Sequence, residues 1–418
     1  MKVKFITLGC KTNYYESQAM SELFRQKGYE IAEKGEIGDI YVINTCTVTG
    51  TGAQKSRQHI RRAKKENPNS IVAVTGCFAQ TEPEKASSIE GVDIVIGTAE
   101  KGRIVECVER AIEGEKLTLN TDMTNFRDYE ELCITGEQSR IRATIKIEDG
   151  CDNFCSYCII PYARGRVRSR KPENILKEVT ELAKKGYPEI VLTGIHLDSY
   201  GKDFGYETTL IDVIEMIEKI DSIERIRLGS LEPVIITDDF VNMAKKLKKL
   251  CPHYHLALQS GCDETLKRMN RHYTTADYEK AVKLLRENIP DVSFTTDVMV
   301  GFPGESDEEF ISSYNFCKKI GFMQMHVFKY SIRKGTRAAT MKDQIPEKIK
   351  EARSEKMLEL AKQMNDEFYR SYIGKKVLVL VEEKTSGGKY HATLPNYMDV
   401  YIESNTDISN SFKEITVK

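Results

Sequence analysis

Three cysteines, Cys151, Cys155 and Cys158, fall on one short segment at C-x3-C-x2-C spacing. Three thiolates on such a loop can hold three irons of a [4Fe–4S] cube. The fourth iron is then left without a protein ligand. Ligation by four cysteines is the ordinary electron-transfer arrangement, whereas catalytic metal sites keep a position open. The competing readings are a zinc site and three unrelated buried cysteines. Zinc sites usually use C-x2-C pairs and need a fourth ligand, and no second C-x2-C occurs in the chain.

A second set, Cys10, Cys46 and Cys77, is widely spaced. Each follows a predicted strand, in the runs FITLGC, YVINTC and VAVTGC. Strand C-termini of a parallel sheet share one edge, where ligands bind. Three thiolates converging there would suit another cluster with an open iron. Three small residues packed at strand ends would give the same pattern, because free cysteine is often buried. The chain holds 11 cysteines, an odd number. The N-terminal run MKVKFITLGC lacks the apolar core and cleavage site of a secretion signal, so a cytoplasmic protein is expected. A disulfide framework is not expected in a reducing compartment.

The elements that must position these thiols read as alternating strands and helices, hence βαβ units and parallel sheets. Residues 1–115 give one such α/β domain, 116–138 a polar linker, and the alternation then resumes to about residue 340. That stretch suggests a full or partial (β/α) barrel with its site at the strand C-termini. Residues 344–373 read as one long helix, and the tail as a small β domain. The domains are therefore placed at 1–115, 137–367 and 370–418 in a chain of 418 residues. No run approaches about 18 consecutive apolar residues, so no membrane span is expected. Lys+Arg is 62 against 63 Asp+Glu, which excludes a globally basic nucleic-acid binder but leaves local patches open.

The C-x3-C-x-aromatic-C segment, with Tyr157 in the aromatic place, resembles the signature of the radical S-adenosylmethionine (SAM) superfamily. The resemblance implies that the open iron binds SAM and that reduction yields a 5′-deoxyadenosyl radical. Gly194, in the run Thr193-Gly194-Ile195, looks like the loop for the methionine amino group. Ser230 and Glu232 look like the ribose-contacting strand, and the VMVGFPGE run with Gly301 like the adenine side. Gln259 and Asp297 are placed with the same cofactor set.

Together, GCKTNYYES, NTCTVT and TGCFAQ look like the N-terminal domain of the methylthiotransferases. The likeness continues through GCDNFCSYCIIPYARGRVRSR, LTGIHLDSYG, LQSGCDETLKRMNRHYT and TDVMVGFPGE, nearly the whole chain. It implies that Cys10, Cys46 and Cys77 hold an auxiliary [4Fe–4S] cluster. One SAM would methylate a sulfur carried there, and a second would supply the radical that activates adenosine C2. The tail resembles a TRAM domain, a small β-barrel that contacts RNA. Lys11-Thr12-Asn13 after the first cysteine resembles the branch acting on N6-threonylcarbamoyladenosine of the tRNA anticodon loop. The alternatives are the isopentenyladenosine branch and a non-catalytic zinc and RNA-binding protein. The implied partners are the anticodon stem-loop and a low-potential donor, flavodoxin or ferredoxin; a monomer is expected.

Basic residues crowd two places. Arg164, Arg166, Arg168 and Arg170 follow the cysteine loop and are assigned to RNA, since the guanidinium fork suits phosphate. Some of them could instead meet a carboxylate of SAM or of the threonyl group. Arg57, Arg61, Arg62, Lys64 and Lys65 load one helix. Cys107, Cys133, Cys251, Cys262 and Cys317 show no pattern and read as packing residues.

Overall fold

The computed structural model describes residues 1–33, 35–47, 50–134 and 141–418, and of residues 50–54 the backbone alone. Six strands build the first sheet: β1 (Lys2–Thr7), β2 (Glu30–Ile31), β3 (Ile40–Thr45), β4 (Ile71–Gly76), β5 (Ile94–Ile96) and β6 (Leu117–Leu119). They lie parallel in the order β2-β1-β3-β4-β5-β6. Every residue of β3 is buried, because helices cover both faces of the sheet. Ile40 and Val42 pack on Met20 and Phe24 of helix Lys11–Gln26. Tyr41 and Ile43, one residue out of phase, pack on Ile60 and Ala63 of helix Gly50–Glu66.

The predicted linker does more than connect. It supplies β6 as an edge strand, and its Leu132 and Ile134 pack on Tyr15 and Ala19 of helix Lys11–Gln26. Its last residues, and the expected start of the second domain at 137, lie outside the described residues.

The second body begins with β7 (Arg142–Lys146) and a two-stranded antiparallel ribbon, β8 (Glu148–Asp149) with β9 (Arg168–Ser169). Then come β10 (Glu189–Thr193), β11 (Arg225–Leu228), β12 (Ser230–Leu231), β13 (His253–Leu256), β14 (Ser293–Val300) and β15 (Gln324–Lys329). The sheets run β11-β10-β7 and β12-β13-β14-β15, parallel throughout, and a bridge from Ile226 to Leu250 links them. Helices return the chain between strands. This is the expected partial (β/α) barrel. Its core joins Ile145, Ile190, Ile226 and Leu256 of the strands to Val179, Ile214 and Leu285 of the helices.

The helix expected over 344–373 spans Glu347–Arg370. It leads to β16 (Lys376–Lys384), β17 (Tyr390–Thr393), β18 (Asp399–Ile402) and β19 (Ser411–Thr416). These form an antiparallel sheet in the order β18-β17-β16-β19. Its Thr393–Tyr397 corner meets the N-terminal ends of the barrel strands. Arg225 donates to the Thr393 carbonyl (3.0 Å) and the Leu378 carbonyl (2.9 Å). Arg227 donates to the Pro395 carbonyl (3.0 Å) and pairs with Glu189 (2.8 Å). His253 stacks on Tyr397 at 4.6 Å between centroids. The tail thus closes the end of the barrel opposite the strand C-termini. Among the described residues, no helix is long and apolar enough to cross a membrane.

Candidate active site

The ribbon of β8 and β9 brackets the cysteine loop and fixes where it leaves and rejoins the barrel. Gly150 enters the loop at φ +86°, and a Cβ there would stand 2.0 Å from the Arg166 carbonyl oxygen, so only glycine fits. The Cys151 N–H donates to the Gly165 carbonyl (3.0 Å), and Asn270 donates to the Asn153 and Phe154 carbonyls (3.2 Å each). Two donors aim at the sulfurs: Arg271 Nη1 at Cys155 Sγ (3.3 Å) and the Asn153 N–H at Cys151 Sγ (3.5 Å). Burial pushes the Cys158 thiol up to about 12, and neighbouring Cys155 adds to it. Burial likewise raises Cys151, opposed by the Asn153 N–H.

The loop opens onto a cleft of about 140 Å³ lined by Cys151, Cys155, Cys158, Tyr157, Ser230 and Glu232. Ile195, of the Thr193-Gly194-Ile195 run, also lines it, as do Asn153, His196 and Arg271, whose roles were not evident in the sequence. Arg271 pairs with Glu232 (2.9 Å), and Asn153 donates to both Glu232 (2.9 Å) and His196 Nε2 (3.1 Å). Arg271 sits in the LKRMNRHYT run and His196 in LTGIHLDSYG, both quoted above for their resemblance alone. Gln259 and Asp297 line a neighbouring cavity of about 210 Å³ with Tyr157, Cys158, Met299, Phe328 and Arg333. Gly194 and Gly301 line neither. Gly194 packs on Glu148, and Gly301 on Lys350 of the long helix.

A tetrahedral zinc ion, with Zn–S of about 2.3 Å, draws its sulfurs to within about 4 Å of one another. Among the described residues, one trio of His, Cys, Asp or Glu has its ligand atoms within 4.8 Å of one another, namely His196, Asp198 and Glu232. Neither cysteine triad is drawn in so tightly.

The N-terminal thiols converge. Cys46 directly follows β3 and Cys77 directly follows β4, whose register pairs Thr45 with Gly76. Gly76 holds φ +93°, and a Cβ there would meet Asn44 Oδ1 and the Thr45 carbonyl at 2.5 Å. Burial pushes the Cys77 thiol up to about 11; Arg164 opposes this, while Cys10 and Cys46 face it and add to it. The two triads are also neighbours. Helix Cys77–Thr81 packs on helix Ile160–Arg164, and Cys77 is among the groups that raise Cys158.

The arginines after the loop require a correction. Arg164 and Arg170 are 0% exposed and Arg168 is 2% exposed, so they cannot meet RNA; Arg166, with 46% of its side chain exposed, can. Their partners are protein carboxylates. Arg164 pairs with Glu16 (2.8 Å) and Asp149 (3.0 Å) and donates to Asn13 (2.7 Å). Lys146 joins Glu16 (3.1 Å) and Asp149 (3.0 Å), Lys101 lies 3.4 Å from Glu16, and Arg168 lies 3.6 Å from Asp149. Burial opposes the charge on Glu16, but Arg164, Lys101 and Lys146 outweigh it and hold the carboxyl well below its usual range. In these pairs four cations share two carboxylates, and Arg164 lies against the Cys77 thiol. The surplus of positive charge complements a set of thiolates. Arg170 serves another network, with Glu178 and Glu131.

Of the remaining cysteines, Cys107, Cys251, Cys262 and Cys317 are buried, as packing residues should be. Cys133 is exposed and accepts from Arg170 (3.1 Å).

Glu148 lies beside the cleft and accepts from the Ile195 N–H (2.8 Å) and the His196 N–H (2.7 Å). Burial nonetheless pushes its carboxyl up to about 8. An unfolded glutamate ionises near about 4.3. Between those values the unfolded chain has released the proton while the folded chain keeps it, so stability falls as pH rises across that window. Glu148→Gln should escape this loss. Its unfolding midpoint, relative to the parent, is expected to climb from about pH 5 to about pH 8. A midpoint difference that does not change with pH would contradict a buried neutral carboxyl.

Residues 145–317 match the radical SAM superfamily, and residues 2–97 match the uncharacterized protein family UPF0004. The chain is 41% identical to the threonylcarbamoyladenosine tRNA methylthiotransferase MtaB of Bacillus subtilis, over 96% of this chain and 89% of the relative. It is 39% identical to the enzyme of the same name from Aquifex aeolicus, over 98% of each. It is 37% identical to the tRNA-2-methylthio-N(6)-dimethylallyladenosine synthase of Pelotomaculum thermopropionicum, over 93% of this chain and 88% of that one. Among solved structures, the radical SAM methyltransferase TsrM from Kitasatospora setae superposes with TM-score 0.60 at 12% identity, covering 81% of this chain and 74% of that chain. That likeness concerns the fold. With two thirds and more of its relatives matched at this identity, and a three-cysteine loop at the strand ends of a partial barrel, the chain belongs to the radical SAM tRNA methylthiotransferase family.

Proposed function

We propose that the protein converts N6-threonylcarbamoyladenosine in the anticodon loop of tRNA to its 2-methylthio derivative. It would use SAM and two [4Fe–4S] clusters, one on Cys151, Cys155 and Cys158 and the other on Cys10, Cys46 and Cys77. The observation that carries this reading is the closeness of two three-cysteine sets: helix Cys77–Thr81 packs on helix Ile160–Arg164, and Cys77 lies within electrostatic reach of Cys158. Two curated relatives named for threonylcarbamoyladenosine, at 41% and 39% identity over nearly the whole chain, support the choice of base.

When bound, a reduced cluster and SAM supply one-electron chemistry able to activate an aromatic C–H, which acid–base groups do poorly. The chain's own residues do the rest. Arg271 and Asn153 place donors on the thiolate sulfurs. The barrel end is closed by the C-terminal sheet, so the reacting groups meet at the other end, next to an open cleft of about 780 Å³ between the two bodies. For the RNA we assign exposed Arg166 and the exposed stripe Arg57, Arg61 and Lys65, four residues apart on one helix face. Arg62 and Lys64 of that helix are engaged by Glu66 (2.8 Å) and Asp93 (3.0 Å). A monomer served by a flavodoxin or ferredoxin completes the reading.

The test is the nucleoside profile of bulk tRNA from a strain lacking this gene, by mass spectrometry. The 2-methylthio derivative of threonylcarbamoyladenosine is expected to vanish and its unthiolated precursor to accumulate. Loss of the methylthio dimethylallyl nucleoside instead would move the enzyme to the other branch.

A further inference from the structure

The large cleft between the two bodies is lined by Thr47, next to Cys46, by Gln80 and Asn120, and by Arg333, Lys334 and Gly335 from the segment after β15. Arg333 also lines the smaller cavity with Tyr157, Cys158 and Asp297. It therefore stands where the two cavities meet. It is half-buried, donates to the Ser331 hydroxyl (3.3 Å), and lies within electrostatic reach of the Cys46 thiol and the Glu82 carboxyl. The segment carrying it is fixed to the cysteine loop. The Ala338 N–H donates to the Ser156 carbonyl (2.7 Å), and Thr336 ties back to the Arg333 carbonyl through its N–H (3.1 Å) and its hydroxyl (2.8 Å).

The charges around it say what kind of anion fits. A track for RNA phosphates needs several cations along a groove. Here the opposite wall carries Glu82, Glu84 and Asp122, and its Lys85 is already paired with Glu82. Such a wall repels a run of phosphates more strongly than it repels a single carboxylate. The facing side carries exposed Lys334 and the half-buried Arg333 guanidinium, and of the two only Arg333 also lines the inner cavity, where its planar fork suits a single carboxylate. The threonylcarbamoyl group ends in one carboxylate, and a dimethylallyl group has none.

We propose that Arg333 is the specificity-determining residue that binds the threonyl carboxylate of the substrate nucleoside at the junction of the two cavities. The proposal rests on the reading given under Proposed function. Of the sequence-based expectations, the carboxylate contact was sought in the arginines after the cysteine loop; three of those are buried among protein carboxylates, and Arg333 takes the place beside the cysteines.

The test uses the anaerobically reconstituted full chain and anticodon stem-loop RNAs that differ only in the nucleoside: threonylcarbamoyladenosine, its carboxyl methyl ester, or unmodified adenosine. The parent is expected to bind the free acid about 10- to 100-fold more tightly than the other two, the span of a charge-assisted contact. Arg333→Gln should lose that preference while binding the unmodified RNA as before and holding the same iron. Arg333→Lys should keep part of it. Three results overturn the proposal: Arg333→Gln keeping the parent's preference, equal weakening of all three RNAs, which makes Arg333 a phosphate contact, and loss of iron, which makes it a support of the cysteines. A parent that shows no preference for the threonylcarbamoyl RNA fails earlier, because it refutes the assigned substrate itself.

Discussion

A Cys10→Ala, Cys46→Ala, Cys77→Ala variant is expected to make no methylthio nucleoside while it still cleaves SAM to 5′-deoxyadenosine. The three thiols sit at neighbouring strand ends of the first sheet, and Cys10 and Cys46 face Cys77. The loop of Cys151, Cys155 and Cys158 is held by separate elements: the ribbon of β8 and β9, Asn270 and Arg271. Removing the N-terminal thiols therefore leaves the second loop's supports intact. Chromatography and mass spectrometry of both products after one incubation read the two functions separately. Methylthio nucleoside at the parent's level would remove Cys10, Cys46 and Cys77 from the chemistry. Loss of both products would show that the two triads are not independent.

Glu16→Ala is expected to be among the most destabilising single changes in the chain. Glu16 is 0% exposed and binds Arg164, Lys146 and Lys101, which are at most 1% exposed themselves. Without it, the four buried cations Arg164, Lys146, Lys101 and Arg168 are left with Asp149 alone of the two carboxylates. Removing one partner of a buried pair costs about 3–5 kcal/mol, because the remaining charge stays desolvated. The network also joins the first sheet to the barrel, since Glu16 lies on helix Lys11–Gln26 and Lys146 on β7. The loss should appear in denaturant unfolding of the cluster-free chain, so that iron binding does not enter the comparison. A change of less than about 1 kcal/mol would mean that water or a shifted side chain replaces the carboxylate, and that the pairs are not truly buried.

Much of this was legible in the residues. Ile40-Tyr-Val-Ile and Ile71-Val-Ala-Val announce central parallel strands, because strands covered on both faces need no polar alternation. Cysteines at the ends of such runs therefore had to meet at one sheet edge, and they do. The spacing of Cys151, Cys155 and Cys158 is local, so no knowledge of the fold was required to find it. The arginines were misread for the opposite reason. A run of Arg164, Arg166, Arg168 and Arg170 looks like a surface patch, and what buries it comes from far along the chain: Glu16 lies 148 residues before Arg164. Long-range ion pairing leaves no local mark. The same holds for Arg225 and Arg227, whose partners are carbonyls of the C-terminal sheet. Arg333 follows the last barrel strand in an ordinary polar turn, and only the folded chain brings it to the cleft that Thr47, next to Cys46, also lines.

The most direct measurement is iron and acid-labile sulfide per chain after anaerobic reconstitution, for the parent and the Cys10→Ala, Cys46→Ala, Cys77→Ala variant side by side. About eight irons falling to about four is the expected result, with sulfide falling in step. About four irons in both proteins would contradict two clusters on one chain and leave the N-terminal cysteines as packing residues.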